Sequence, residues 1–140
     1  MQPRDLFEEH TETVWNRGDL DAVETFIAED YVEHDPSIMD AVEGPAAYRE
    51  NVQAFRGAFP DFEVENTHLV VEGDTIVARQ RFTGTHEGTF RGIEPTGNTI
   101  ESTSIVICRV EDDKIAETWV ETDMIRLYDQ LGIESAIPDR

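Results

Sequence analysis

The sequence predicts an α+β fold, with helices in its first part and a run of long antiparallel strands after them. Two observations lead there. Apolar residues recur at helical spacing as far as Pro60 and at strand spacing beyond it, and turn-forming residues separate the later runs. A chain of 140 residues is the length of one ordinary domain, and no repeat, low-complexity tract or linker divides it. Residues 1–140 are therefore expected to form a single domain.

The elements follow in order. Leu6, Phe7, His10 and Val14 share one helical face over residues 6–17, and Gly18 ends that helix. Asp19 can cap a second helix in which Ala22, Val23, Phe26 and Ile27 repeat at helical spacing. Tyr31-Val32-Glu33-His34 is a short strand stopped by Asp35-Pro36. Gly44-Pro45 opens a third helix with Pro in its first turn, and Tyr48, Val52, Phe55 and Phe59 form its apolar stripe until Pro60 closes it. Residues 62–71 and 75–84 flank Glu72-Gly73-Asp74 and read as a hairpin. Residues 85–98, rich in Gly, Thr and Pro, form a long loop. Residues 99–111 are a long strand, Asp112-Asp113 a turn, and residues 115–123 the last strand. A short helix over 124–131 is stopped by Gly132, and Pro138 lies in the tail. Four long strands with helices on one side curve, and the helices over 6–17 and 46–59 then cover the concave face, where a pocket can persist.

Composition narrows the function. The net charge is −20, from 31 acidic against 11 basic residues, and ten of the basic residues are Arg, with Lys114 the sole Lys. Such a surface repels nucleic acid and anionic membranes. The acids are scattered rather than clustered, which points to a chain adapted to a salt-rich (halophilic) cytosol more than to a cationic partner. Full folding and solubility without salt would count against that reading. No apolar run approaches the roughly 18 residues of a membrane span, and the N-terminus lacks the basic-then-apolar plan of a signal peptide, so a cytoplasmic protein is expected. Cys108 sits in an apolar strand and is expected to be a buried thiol. Four dispersed histidines without a Cys pair or HExxH give no metal site, and no phosphate-cradling Gly loop or Gly-x-Ser-x-Gly elbow occurs. No cofactor is expected, and the partner is a small molecule.

The chemistry is expected on the last strand, Glu117-Thr118-Trp119-Val120-Glu121-Thr122-Asp123. Strict alternation puts Ile115, Glu117, Trp119, Glu121 and Asp123 on one face. Trp among acids suits a pocket wall better than core or open surface. A carboxylate walled in by apolar groups has its pKa raised and can exchange protons near neutral pH. Asp123, at the strand end, is the acid–base candidate, and His34 a donor or partner base. Glu117 and Arg79 are read as an ion pair deeper in the fold. His86 is read as ordering the long loop, whereas His10 and His68 give no functional signal.

Taken in order, these segments resemble the SnoaL-like polyketide cyclase family of the NTF2-like superfamily. The matching stretches begin with Asn16-Arg17-Gly18-Asp19-Leu20-Asp21, Glu33-His34-Asp35-Pro36, Phe59-Pro60-Asp61 and Glu72-Gly73-Asp74. They continue with Ala78-Arg79, Gly84-Thr85-His86-Glu87-Gly88, Phe90-Arg91-Gly92-Ile93, Pro95-Thr96-Gly97, Lys114-Ile115-Ala116-Glu117 with Trp119, and Gln130-Leu131-Gly132. The resemblance implies a cone: a curved, mostly antiparallel sheet wrapped around N-terminal helices and enclosing a pocket. It also implies an intramolecular aldol cyclisation without metal or cofactor, with an aspartate near the end of the Trp strand as acid–base, matched here by Asp123, and with His34 assisting. Trp119, Arg79, Glu117, Tyr48, Phe55 and Phe90 are the expected substrate-binding set. Thr118 departs from the His that many members carry before the Trp, and Arg109 ends a strand that lacks the cyclases' His. Competing readings are an isomerase-like relative, a binding module without catalysis, and an epoxide-hydrolase-like enzyme requiring an Asp-Arg-Asp set. A homodimer through the convex face is expected, with Val106, Val120 and Met124 as contacts.

Overall fold

The computed structural model describes residues 1–38 and 41–133; Pro138 lies outside them. Helix α1 (Pro3–His10) runs directly into a π-helical turn (Thr11–Asn16). A 3₁₀ turn (Leu20–Ala22) and the single-turn helix α2 (Val23–Phe26) lead into strand β1 (Ile27–His34). The two-residue strand β2 (Val42–Glu43) and helix α3 (Gly44–Ala58) follow. Four long strands then alternate with turns: β3 (Glu63–Glu72), β4 (Thr75–Thr85), β5 (Thr99–Glu111) and β6 (Lys114–Thr122). Helix α4 (Met124–Gln130) ends the described chain.

The six strands form one curved, open sheet in the order β2-β1-β6-β5-β4-β3. All pairings are antiparallel except β1 with β6. The α+β cone expected from the sequence is the fold observed. The expected second helix is cut to one turn. Ile27 leaves it to pair with Ile115 of β6, so sheet pairing by a β-branched residue overrides helical spacing.

Apolar side chains collect in two clusters on the concave side. One joins Leu6, Phe7, Val14, Phe26, Ile27, Tyr31, Tyr48 and Val52 to Ile76, Ala78, Val106 and Ile115. The other joins Phe59, Phe62, Phe82, Phe90 and Ile100 to Leu127 and Leu131. The long loop is tied to the second cluster. His86 is fully buried and its Nδ1 accepts the Thr96 N–H at 3.1 Å. Gly88 donates its N–H to the Ala58 carbonyl at 3.0 Å. A Cβ on Gly88 would lie 2.1 Å from the Gly57 carbonyl oxygen, so that approach requires glycine.

One local feature reverses an expectation. The β5–β6 register shifts between Arg109 and Val110, so that Arg109 pairs with Glu117 and Val110 with Ile115. The extra residue, Ala116, is a β-bulge, and a bulge flips the alternation beyond it. Ile115 therefore shares the concave face with Thr118, Val120 and Thr122, while Glu117, Trp119 and Glu121 point outward. Val106 and Val120 likewise face inward, and Met124 packs against the second cluster. None of these three is a convex-face contact.

Candidate active site

Between the concave face and helices α1 and α3 lies a cavity of about 100 Å³. Its walls are largely apolar, from Phe7, Trp15, Phe55, Phe62, Phe82 and Val106. A volume this far below the roughly 300 Å³ of drug-sized pockets suits a compound of a few carbons. Among the described residues, no Lys or Arg lines it.

Strand β1 supplies the acid. Its alternation sends Tyr31 and Glu33 inward and His34 outward. Glu33 is 7% exposed, and the Tyr31 hydroxyl donates to its Oε1 at 2.7 Å. Burial pushes the Glu33 carboxyl above the ordinary carboxylate range. The Tyr31 hydrogen bond opposes that rise, and the charge of Asp35 adds to it. Asp35 also lines the cavity, but its Oδ1 is occupied by the Ser37 N–H and hydroxyl at 2.9 and 2.7 Å. Burial raises the Tyr31 and Tyr48 phenols as well, so both remain protonated donors.

Helix α1 and its π-helical continuation supply a second polar group. In a π-turn the hydrogen bonds run from residue i to i+5, as from the Arg17 N–H to the Glu12 carbonyl at 2.9 Å. Residues five apart then fall close together on one face. His10 and Trp15 are five apart, and both reach the Tyr48 hydroxyl from α3. The Trp15 indole can only donate, and it does so at 2.8 Å. The Tyr48 hydrogen then goes to His10 Nε2, its remaining partner, which places the imidazole proton on Nδ1. That Nδ1 has no hydrogen-bond partner among the described residues. Burial lowers the His10 pKa to about 4, so the ring is neutral at physiological pH.

The expected site residues divide sharply. Tyr48 and Phe55 line the cavity. Phe90 stands behind the wall, its ring 5.4 Å from Phe55 and 5.3 Å from Phe59. Asp123 is exposed and caps α4, accepting the Arg126 N–H at 3.0 Å. His34 lies on the convex face, stacked on Trp119 at 5.3 Å and bonded through Nε2 to Glu117 at 2.7 Å. Arg109 takes the place expected of Arg79, with its Nε 3.3 Å from Glu117. The register explains this, because Arg109 lies directly opposite Glu117 whereas Arg79 lies opposite Ile105. Arg79 is exposed and donates to Thr67 Oγ1 at 3.0 Å. The His34 hydrogen bond, with Arg109 beside it, holds Glu117 below the ordinary carboxylate range.

Sequence reasoning missed Glu33, Tyr31, His10 and Trp15. The Tyr-x-Glu alternation on β1 was a usable signal for the first two. The π-turn that unites the other two leaves no spacing rule to read. Cys108 is a buried thiol as expected, pushed up to about 12 by burial. No helix among the described residues is long and apolar enough to cross a membrane.

A family model described as SnoaL-like polyketide cyclase matches residues 6–131. Among solved structures, IdmH from Streptomyces antibioticus, a proposed polyketide cyclase, is 31% identical with a TM-score of 0.82, covering 95% of this chain and 100% of its own. AclR from Streptomyces galilaeus, a proposed hydroxylase, is 28% identical with a TM-score of 0.82, over 99% of this chain and 83% of its own. TsrD from Streptomyces laurentii is 28% identical with a TM-score of 0.83, over 94% and 95%. No curated protein matches the chain significantly.

Proposed function

Because the chain belongs to the SnoaL-like polyketide cyclase family, we propose that it is an acid–base enzyme that enolises a small, uncharged carbonyl compound in the concave cavity. The observation that carries this reading is Glu33: a carboxyl buried beside aromatic rings, held by one phenol, with no ion-paired cation among the described residues. A carboxyl tuned upward is a stronger base at neutral pH than an exposed one. Glu33 takes a proton from the carbon beside the substrate carbonyl. The electron pair moves onto the carbonyl oxygen, which the paired Ser104 and Thr122 hydroxyls on the same wall, with one O–H left over, are suited to receive as donors. The enolate then attacks a second carbonyl of the same molecule, as in an aldol cyclisation, or regains the proton at another carbon, as in an isomerisation. In either case Glu33 returns the proton it took. Two carboxyl groups on the wall, and no Arg there among the described residues, disfavour an anionic substrate and leave an Asp-Arg-Asp hydrolase set without support.

The test is hydrogen–deuterium exchange at the acidic carbon of a small β-keto ester, followed by NMR in slightly acidic D₂O, where uncatalysed exchange is slow. Wild type accelerates exchange, Glu33→Gln loses it, and Asp123→Asn keeps it. Exchange that survives Glu33→Gln would overturn the assignment. Binding of the ester without any exchange by wild type would support a binding module instead.

A further inference from the structure

We infer that the cavity has a direction: its aromatic end is a subsite for a short, unbranched hydrocarbon arm on the substrate carbonyl, and Phe55 sets the length of that arm. The sheet register orders the concave wall in rows. Glu33, Thr118 and Cys108 form one row, Thr122, Ser104 and Gln80 a second, and Phe82 with Val64 a third. Along β6 the first two rows lie roughly 13 Å apart, with Val120 and Val106 between them, and along β4 the third follows after roughly 7 Å. Helix α3 runs the same way. Tyr48 packs on Tyr31 at the Glu33 end, with ring centroids 5.3 Å apart. Phe55, about 10 Å further along the helix, packs on Phe62 at 5.5 Å, and Phe62 packs on Phe82 at 5.6 Å.

Chemistry selects the occupant of each end. One end carries the Glu33 carboxyl and the Tyr31 hydroxyl, and the hydroxyls of Ser104 and Thr122 stand midway. The far end is closed by the rings of Trp15, Phe55, Phe62 and Phe82. Their one polar atom, the Trp15 indole nitrogen, already donates to the Tyr48 hydroxyl. A polar group entering there would lose water and gain no partner, whereas a hydrocarbon gains from leaving water. A cavity of about 100 Å³ drawn out over these rows is narrow, which favours an unbranched arm. With the carbonyl oxygen on the Ser104–Thr122 pair and the acidic carbon toward Glu33, the carbonyl's other substituent points to the aromatic end. That placement rests on the enolisation proposed above; the subsite itself rests on the walls. Phe55 is the gauge because the ring behind it, Phe90 at 5.4 Å, is also apolar. Truncating Phe55 therefore lengthens the same hydrocarbon channel.

The test uses two matched series of β-keto esters, one lengthening the keto arm from methyl to heptyl, the other lengthening only the alkoxy group. Isothermal titration calorimetry reads affinity, and deuterium exchange by NMR reads enolisation of the same compounds. For wild type, affinity is expected to rise roughly 4-fold per methylene of the keto arm through propyl. It then falls at least ~10-fold by hexyl, where the arm meets Phe55. Phe55→Ala is expected to bind the hexyl ester at least as tightly as the propyl ester. Phe55→Leu, which keeps a large apolar side chain on α3 and so guards against misfolding, is expected to move the drop by about one carbon. Neither variant should change the alkoxy series. Wild-type affinity that ignores arm length, failure of every ester to bind, or a drop that neither variant moves would overturn the subsite. A variant that extends the alkoxy series instead would overturn the orientation. Length-dependent binding without exchange would uphold the subsite and overturn the enolisation.

Discussion

Glu33 and Glu117 are two carboxylates of one sheet, on paired strands and opposite faces, and the protein treats them in opposite ways. Glu117 faces solvent between His34 and Arg109, and its partners hold it ionised. Glu33 faces a largely apolar cavity with a phenol as its hydrogen-bond partner, and burial pushes it toward the neutral form. The difference teaches that acid content says little about acid chemistry. In a chain with 31 acidic residues, Glu33 stands apart by its surroundings: apolar walls and, among the described residues, no ion-paired cation. The same contrast runs along β6, where Thr118, Val120 and Thr122 line the cavity and Trp119 and Glu121 meet solvent.

The sharpest break between the two faces is catalytic. Glu33→Gln is expected to slow proton exchange on the order of 10²–10⁴-fold, the usual worth of a general base. Glu117→Gln is expected to leave the rate unchanged in the same assay. The same pair separates stability. The folded pKa of Glu33 lies above its unfolded value, so the folded state binds more protons, and stability falls as pH rises from about the ordinary carboxylate value through the raised one. Glu33→Gln should remove that fall and raise the melting temperature at neutral pH, as thermal scans across pH will show.

His10 sharpens the picture from the other sign. Its folded pKa of about 4 lies below the 6.5 of an exposed ring. Its contribution is fully present above pH 6.5 and is lost as pH falls to about 4. The shift corresponds to about 3 kcal/mol. Urea unfolding between those pH values should show this loss, and His10→Gln should abolish it. Tyr48→Phe leaves the Trp15 N–H and the His10 ring without their shared partner and is expected to cost about 2 kcal/mol by chemical denaturation. The smallest effect belongs to the convex face, where Arg109→Ala should leave the melting temperature unchanged within measurement, because exposed ion pairs are screened.

The fold was largely legible because periodicity and turn residues survive in a single sequence. The hairpin around Gly73 and the strand Thr99–Glu111 lie where the pattern puts them. The site was only half legible. Tyr48 and Phe55 follow from the stripe on α3, since a regular helix keeps its phase over four turns. Alternation counted from Ile115 picks the wrong face of β6, because Ala116 is a bulge that pairing with β5 creates and composition does not announce. On β1 His34 is the more conspicuous side chain by its chemistry, although Tyr31 and Glu33 hold the inward positions. The π-turn that brings His10 and Trp15 to one hydroxyl depends on tertiary packing, and a 3.6-residue count cannot find it.

The most direct measurement is a carbon-13 NMR titration of the assigned Glu33 and Glu117 side-chain carboxyls in one sample. Glu33 is expected to titrate above the ordinary value of 4.5 and Glu117 below it. A Glu33 midpoint at or below 4.5 would contradict the account, because the cavity would then hold an ordinary carboxylate and no tuned base.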